Sequence, residues 1–255
     1  VAKDSAFRLA GQLQLELLHG SQDTNRRWLH QQWVWALGHI GLLWQLVRSF
    51  RKHEPKMQLV LVAQGSANPW FLSALVPYIT VVPEIPAGAE DEAMRRAVYF
   101  GCPDGVSSLI NFNKMIERDC AGDEPLKLSN EQEGKAATFR EQLGVNPVQK
   151  FVAVHARWSD HDPERNVTVE QIETALEPFK AKGYSIISTG LDPHPINERY
   201  PSVTRLVERY EASFLLSAAC DHFIGSNSGA WTIAHAFGRP VTILNDYERA
   251  AWIYP

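Results

Sequence analysis

The sequence predicts an α/β chain made of two successive halves, each built on a parallel sheet. Three observations carry this expectation. Short, almost continuous apolar runs, MQLVLVA at 57–63, FVAVH at 151–155 and SIIST at 185–189, have the length and composition of strands covered on both faces. Stretches with apolar residues at helical spacing alternate with these runs, which gives a β-α-β order rather than hairpins. Small and polar turn residues gather just after the strands, at the edge where an open parallel sheet receives ligands.

In the first half, residues 1–30 open with a helical pattern (Phe7, Leu9, Leu13, Leu15, Leu17, Leu18) that ends at His19-Gly20-Ser21. Residues 31–37 are rich in β-formers and read as a strand, with Gly38-His39-Ile40-Gly41 as the turn after it. Residues 42–50 then read as a helix, followed closely by the cations Arg51 and Lys52. The 57–63 strand runs through Gly65-Ser66-Ala67-Asn68 to Pro69, well suited to start a helix over 70–76, and 79–82 is a third strand. Residues 83–91 and 119–129 read as loops, and 93–100 and 107–117 as locally helical or irregular. A helix over 130–143 stops at Gly144-Val145-Asn146-Pro147, which is read as the boundary between domains 1–147 and 148–255.

The second half opens on the 151–155 strand and a long polar loop, 156–166. An amphipathic helix over 169–182 follows, with Ile172, Leu176 and Phe179 on one face and Gly183 closing it. After the 185–189 strand come a Pro-rich loop, 190–202, a candidate short strand at 203–207 and a helix at 212–220. His222-Phe223-Ile224-Gly225 is a buried strand, Ser226-Asn227-Ser228-Gly229 a tight polar turn, 230–237 a helix stopped by Gly238 and Pro240, and 241–244 the last strand. Ser226, Asn227 and Ser228 all have the chemistry of helix caps. A turn of this kind aims backbone N–H groups and the positive end of a helix dipole at one point, which favours an anion such as phosphate. An ordinary capped turn has the same letters.

Composition narrows the function classes. The chain is 45% hydrophobic and 21% charged with a net charge of −4, ordinary for a globular protein and unlike a general nucleic-acid binder. Cys102, Cys120 and Cys220 are scattered, with no C-x-x-C pair, so neither a zinc site nor a disulfide framework is expected and a reducing, cytoplasmic setting is the default. The apolar run 33–47 is interrupted by Gly38, His39 and Gln45 and is too short to span a bilayer. The chain opens on Val1 rather than Met and reads as a piece of a longer protein. Core packing accounts for most of its eight tryptophans; a stacking platform would account for one or two.

Several polar clusters fall at strand ends in both halves, which suggests a cleft between two domains. Arg157, two residues after His155, offers a planar fork of donors suited to a diphosphate and would lie near the 226–229 turn; the alternative is pairing with Asp160, Asp162 or Glu164. His155 is either a base or a hydrogen-bonded structural histidine. Asn166 is either a ligand or the cap of the following helix. Asp160 and Asp162 are the acids on this rim dense enough to suggest general-base work, or else solvated loop residues. His39, in a glycine turn, is a candidate base for an acceptor hydroxyl, or fills the turn. Asp246 follows the last strand, where it would bind a hydroxyl or cap a turn.

The order V-H-A-R, then R-N, then H-F-I-G-S-N-S-G and A-F-G-R-P, together with G-H-I-G and the Ala67-Asn68 region, resembles a family of bacterial glycosyltransferases. The resemblance covers most of residues 31–246 and implies two Rossmann-like domains facing across a cleft, the GT-B arrangement. More distantly, His155-Ala156-Arg157 is similar to the H-x-R motif of fucosyltransferases. There the Arg binds the donor diphosphate and stabilises the leaving group. Carried over, Arg157 takes that role, Ser226, Asn227, Ser228 and Gly229 bind phosphate or ribose, and His39 lies on the acceptor side. Trp158 stands where the fucosyltransferase motif usually has a second Arg, and the chain stops soon after its last strand where many GT-B proteins continue with helices.

The expected function is therefore transfer of a sugar from a nucleotide-diphosphate sugar to a glycan, lipid-linked or protein hydroxyl, without metal or other cofactor, in bacterial surface glycan synthesis or protein glycosylation. A sugar-nucleotide epimerase or hydrolase of the same fold and a non-catalytic nucleotide- or glycan-binding domain are the rivals. Asp160-His161-Asp162 has the letters of a D-x-D metal motif but sits in a strand-end loop of a different fold.

Overall fold

A computed structural model describes residues 26–29, 37–53, 55–63, 68–95, 97–98, 124–160 and 163–245. The expected lead-in helix, most of the expected 31–37 strand, the 107–117 segment, His161, Asp162 and Asp246 lie outside the described residues. The chain divides into two compact units, Val1–Glu124 with Tyr254–Pro255, and Pro125–Ile253.

The first unit holds β1 (Arg26–Leu29), α1 (Leu37–His53), β2 (Gln58–Val62), α2 (Pro69–Leu75), β3 (Thr80–Val82), α3 (Glu90–Arg95) and β4 (Ala97–Val98). Its strands are all parallel, in the order β3-β2-β1-β4, with Trp28 opposite Val60 and Val60 opposite Thr80. Trp28, Val60, Val62, Val82 and Ala93 make one core cluster. Asn68 caps α2 by accepting the Phe71 N–H at 2.8 Å, and Pro69 stands in its first turn as the sequence predicts.

One expectation is corrected in this unit, and one strand is found that the sequence reading did not single out, Arg26–Leu29. Its charged opening hid it: Arg26 is 5% exposed and donates from Nε to Gln58 on β2 at 2.9 Å, a partner that only sheet formation supplies. Gly38-His39-Ile40-Gly41 is not a turn but the start of α1, so His39 stands in a helical first turn. Leu43, Trp44, Leu46 and Val47 are all buried along that helix, and their burial at ~1.5–3 kcal/mol each outweighs the ~1 kcal/mol helix penalty of each glycine.

The second unit holds α4 (Asn130–Gln142), β5 (Phe151–His155), α5 (Val169–Ala181), β6 (Ser185–Ser188), α6 (Ile196–Arg199), α7 (Arg209–Ala219), β7 (His222–Ser226), α8 (Trp231–Ala236) and β8 (Val241–Leu244). All four strands are parallel, in the order β6-β5-β7-β8. Val152, Val154, Ile186 and Ile224 meet Ile172 and Leu176 of α5 in one core cluster. The alternate residues Phe151, Ala153 and Phe223 are equally buried, as are Phe214 and Leu215 on α7. The sheet is thus covered on both sides, which is why its strands read as unbroken apolar runs.

The 203–207 segment is a 3-10 turn (Val203–Arg205) rather than a strand; its neighbour Ser202 forms only an isolated bridge to Ser188. A four-residue helix, α6, lies inside the Pro-rich loop. Gly238 is required twice over: its φ is +69°, and a Cβ there would lie 2.9 Å from the Pro125 side chain. Among the described residues no helix is long and apolar enough to cross a membrane.

Candidate functional site

The strand order sets the location. From β5 the chain passes outward to β6, then crosses back to β7 and on to β8, so the connections after β5 and β7 leave their sheet in opposite directions. A crevice opens at such a switch point, beyond the C-terminal ends of the two strands. Those ends are His155 and Ser226, and His155 is in register with Gly225.

Gly225 is dictated by contact rather than by its φ. A Cβ at this position would lie 2.7 Å from the His155 carbonyl oxygen and 2.8 Å from Cε1 of Phe223. The next residue, Ser226, is fully buried, and its Oγ accepts the backbone N–H of Arg157 at 3.0 Å. Its side chain therefore joins the two strand exits instead of facing solvent. This one bond brings the Arg157 backbone onto the start of the 226–229 turn, the juxtaposition that the sequence suggested.

A second tie comes from Arg165, whose Nε donates to the Asn227 carbonyl at 2.7 Å. Asn227, Ser228 and Gly229 remain half-buried. The expected caps do not form. Helix α8 begins at Trp231, with Ala230 at the cap position and no side-chain cap bond. Thr232 instead donates its hydroxyl to the Gly229 carbonyl at 2.6 Å, and the Ser228 Oγ accepts the Ala230 N–H at 3.4 Å.

Asn166 is likewise not the cap of α5; Thr168 is, in a capping box with Gln171. Asn166 closes the 156–166 loop on itself. Its Oδ1 accepts the Ser159 N–H at 2.9 Å and its Nδ2 donates to the Ser159 carbonyl at 2.8 Å. Beyond it, Asn245 donates to the Asn166 carbonyl and pairs with the Gln171 amide, whose Nε2 donates to Asn245 Oδ1 at 3.0 Å. Asn245 takes φ +55°, a backbone geometry in which Asn is among the favoured residues. The rim is thereby linked from β5 through β7 to β8. Gln171 is a part of it that sequence reasoning did not select, and Arg165 and Asn245 are parts to which it gave no role of their own. Their partners lie dozens of residues away, and only the turn residue Asn245 carried a local signal.

His155 ends β5 with Nδ1 covered from solvent and without a hydrogen-bond partner. Burial lowers its pKa to about 4, against the opposing pull of the Asp192 charge and the Thr189 backbone. The imidazole is neutral at pH 7 and far too weak a base to hold a proton there. On the β6 side, Thr189 Oγ1 donates to the Val154 carbonyl at 3.3 Å and Ser213 donates to the Thr189 carbonyl at 2.7 Å, which fixes the loop that flanks His155.

The remaining candidates fall elsewhere. Asp160 is exposed and takes no part in the bonds just described. His39 belongs to the first unit. A hollow of about 420 Å³ lined by Glu170, Gln171, Thr174, Ala175, Leu244 and Asn245 includes neither Arg157 nor the 226–229 turn. Among the described residues no three His, Cys, Asp or Glu side chains gather as a metal-binding group would require.

No protein-family profile matches the chain, and no curated protein matches it in sequence. Solved structures do resemble it. A glycosyl transferase family 9 protein from Veillonella parvula aligns with TM-score 0.59 and 12% identity over 87% of this chain and 80% of that one. The ADP-heptose lps heptosyltransferase II of E. coli aligns with TM-score 0.53 and 12% identity over 86% and 84%. The iron-containing dodecameric glycosyltransferase TibC of enterotoxigenic E. coli aligns with TM-score 0.52 and 16% identity over 91% of this chain and 61% of that one. At such identities the likeness is one of fold: the parallel α/β fold of GT-B glycosyltransferases, as the sequence predicts.

Proposed function

We propose that the protein is a glycosyltransferase that moves a sugar from a nucleotide-diphosphate sugar to a hydroxyl acceptor. One observation carries the reading. At the β5/β7 switch point the chain ties Arg157 to Ser226 and Arg165 to Asn227, so two guanidinium-bearing residues are anchored on one half-buried Ser/Gly turn. A diphosphate is the ligand whose charge and forked oxygens suit such a place. The fold likeness to glycosyltransferases agrees with it.

In this reading the bond between the anomeric carbon and the diphosphate oxygen breaks while the acceptor oxygen attacks that carbon. Negative charge grows on the departing nucleoside diphosphate, and Arg157 offsets it. Asn227, Ser228 and Gly229 hold phosphate or ribose, and Ser226 positions Arg157. His155 donates or accepts a hydrogen bond as a neutral group. The first unit carries the acceptor side, with His39 as a candidate to receive the acceptor proton; in the second unit Asp160 is the other candidate base and Asp246 holds a hydroxyl. No metal enters this scheme. A glycan, lipid-linked or protein acceptor in bacterial surface glycan synthesis or protein glycosylation, in the cytoplasm, completes the proposal. The epimerase or hydrolase alternative needs an acid/base pair beside the sugar, for which the chain offers His39, His155, Asp160 and Asp162.

The test is isothermal titration of the purified chain with GDP, UDP, ADP and CMP sugars, followed by Arg157→Ala. The expected results are binding of one nucleotide class and a loss of two orders of magnitude or more in turnover for the variant, with an unchanged circular dichroism spectrum. Full turnover in Arg157→Ala refutes the mechanism.

A further inference from the structure

We infer that Trp158 is a preformed stacking platform for the nucleobase of the donor. The inference rests on the diphosphate reading of Arg157 and deepens it by assigning the nucleoside end. Three observations carry it. Trp158 is 55% exposed, although a side chain of this size is normally well covered. Consecutive Cα atoms lie about 3.8 Å apart, so Trp158 leaves the backbone next to the residue assigned to the diphosphate.

The backbone on either side of the ring is also held in place. The residue before it is fixed by the Arg157 N–H bond to Ser226, and the residue after it by the two-bond clamp between Ser159 and Asn166. Its centroid lies 6.0 Å from that of His194, with the planes tilted by 55°. His194 is itself immobile: it accepts the Ile196 N–H on Nδ1 at 3.2 Å, so Nε2 carries the proton donated to the Val167 carbonyl at 3.0 Å. His194 is buried, and Trp158 is the partner left with exposed area.

An exposed indole anchored on both sides gives up little conformational entropy when a flat ring lands on it, which is the condition for efficient stacking. A nucleobase presents a π-face of matching extent, whatever its sequence of donors and acceptors.

The experiment measures affinities of wild type, Trp158→Ala, Trp158→Phe and Arg157→Ala for GDP, ADP, UDP and inorganic pyrophosphate by titration calorimetry, with circular dichroism confirming the fold. In Trp158→Ala, affinity for the tightest nucleoside diphosphate falls by roughly tenfold or more. Its pyrophosphate affinity stays within twofold, and Trp158→Phe recovers most of the loss. Arg157→Ala loses both ligands. Unchanged nucleoside diphosphate affinity in Trp158→Ala overturns the platform alone, since Arg157→Ala still reports on the diphosphate. An equal loss of pyrophosphate affinity in Trp158→Ala also overturns it. A wild type that binds none of these ligands overturns the platform and the diphosphate reading together.

Discussion

His155 gives the candidate site a pH dependence that can be worked through. Burial holds its folded-state pKa at about 4, against 6.5 for an ordinary histidine. Between those two values the unfolded chain binds the proton and the folded chain does not. Stability linked to this residue is therefore fully present above pH 6.5 and drains away as the pH falls toward 4. The whole shift corresponds to about 3 kcal/mol at 1.36 kcal/mol per pH unit. Moving from pH 7 to pH 4.5 removes most of it, roughly 2 kcal/mol. His155→Gln cannot titrate in this range. Urea unfolding of both proteins at the two pH values, followed by circular dichroism, isolates the residue as a double difference: wild type loses roughly 2 kcal/mol more than the variant on acidification. Hydrogen exchange over Phe151–His155 should show the same difference locally. Equal losses in the two proteins would refute the reasoning, because they would mean that the imidazole charges as easily in the fold as out of it.

Gly225→Ala is expected to destabilise the chain by roughly 1–3 kcal/mol in urea unfolding. The added Cβ meets the His155 carbonyl oxygen at 2.7 Å, and this clash exceeds the ~0.5–1 kcal/mol gained by replacing glycine in a strand. A variant as stable as wild type would mean the strands part at no cost. Asn166→Ala removes both bonds to Ser159, each worth about 0.5–1.5 kcal/mol. It should speed amide exchange at Ser159 and open the 156–166 loop to protease, with little effect on β5 itself; unchanged exchange would show that the clamp does not hold the loop.

Much of the second unit was legible in the sequence. FVAVH at Phe151–His155, the segment ending in Gly183 and the strand at His222 announce themselves through local patterns: unbroken apolar runs, helical spacing and glycine stops. The proximity of Arg157 to the 226–229 turn was also readable, because both follow strands of one parallel sheet. Less was readable at the turn itself. Ser226, Asn227, Ser228 and Asn166 all have the chemistry of caps, and none of them serves as a side-chain cap at the helix that follows. In the first unit the Gly38–Gly41 glycines looked like a turn, and they start a helix.

What the sequence determined alone was whatever depends on neighbours along the chain: periodicity, helix stops, the α/β class and the candidate rim. What only the tertiary structure decided was which polar groups meet. Arg157 to Ser226, Arg165 to Asn227 and Asn245 to Asn166 each span more than sixty residues, and the order β6-β5-β7-β8 creates their proximity. A side-chain oxygen has the same local chemistry whether it caps a helix or joins two strand exits; the choice is made by whichever donor the folded sheet places within 3 Å of it.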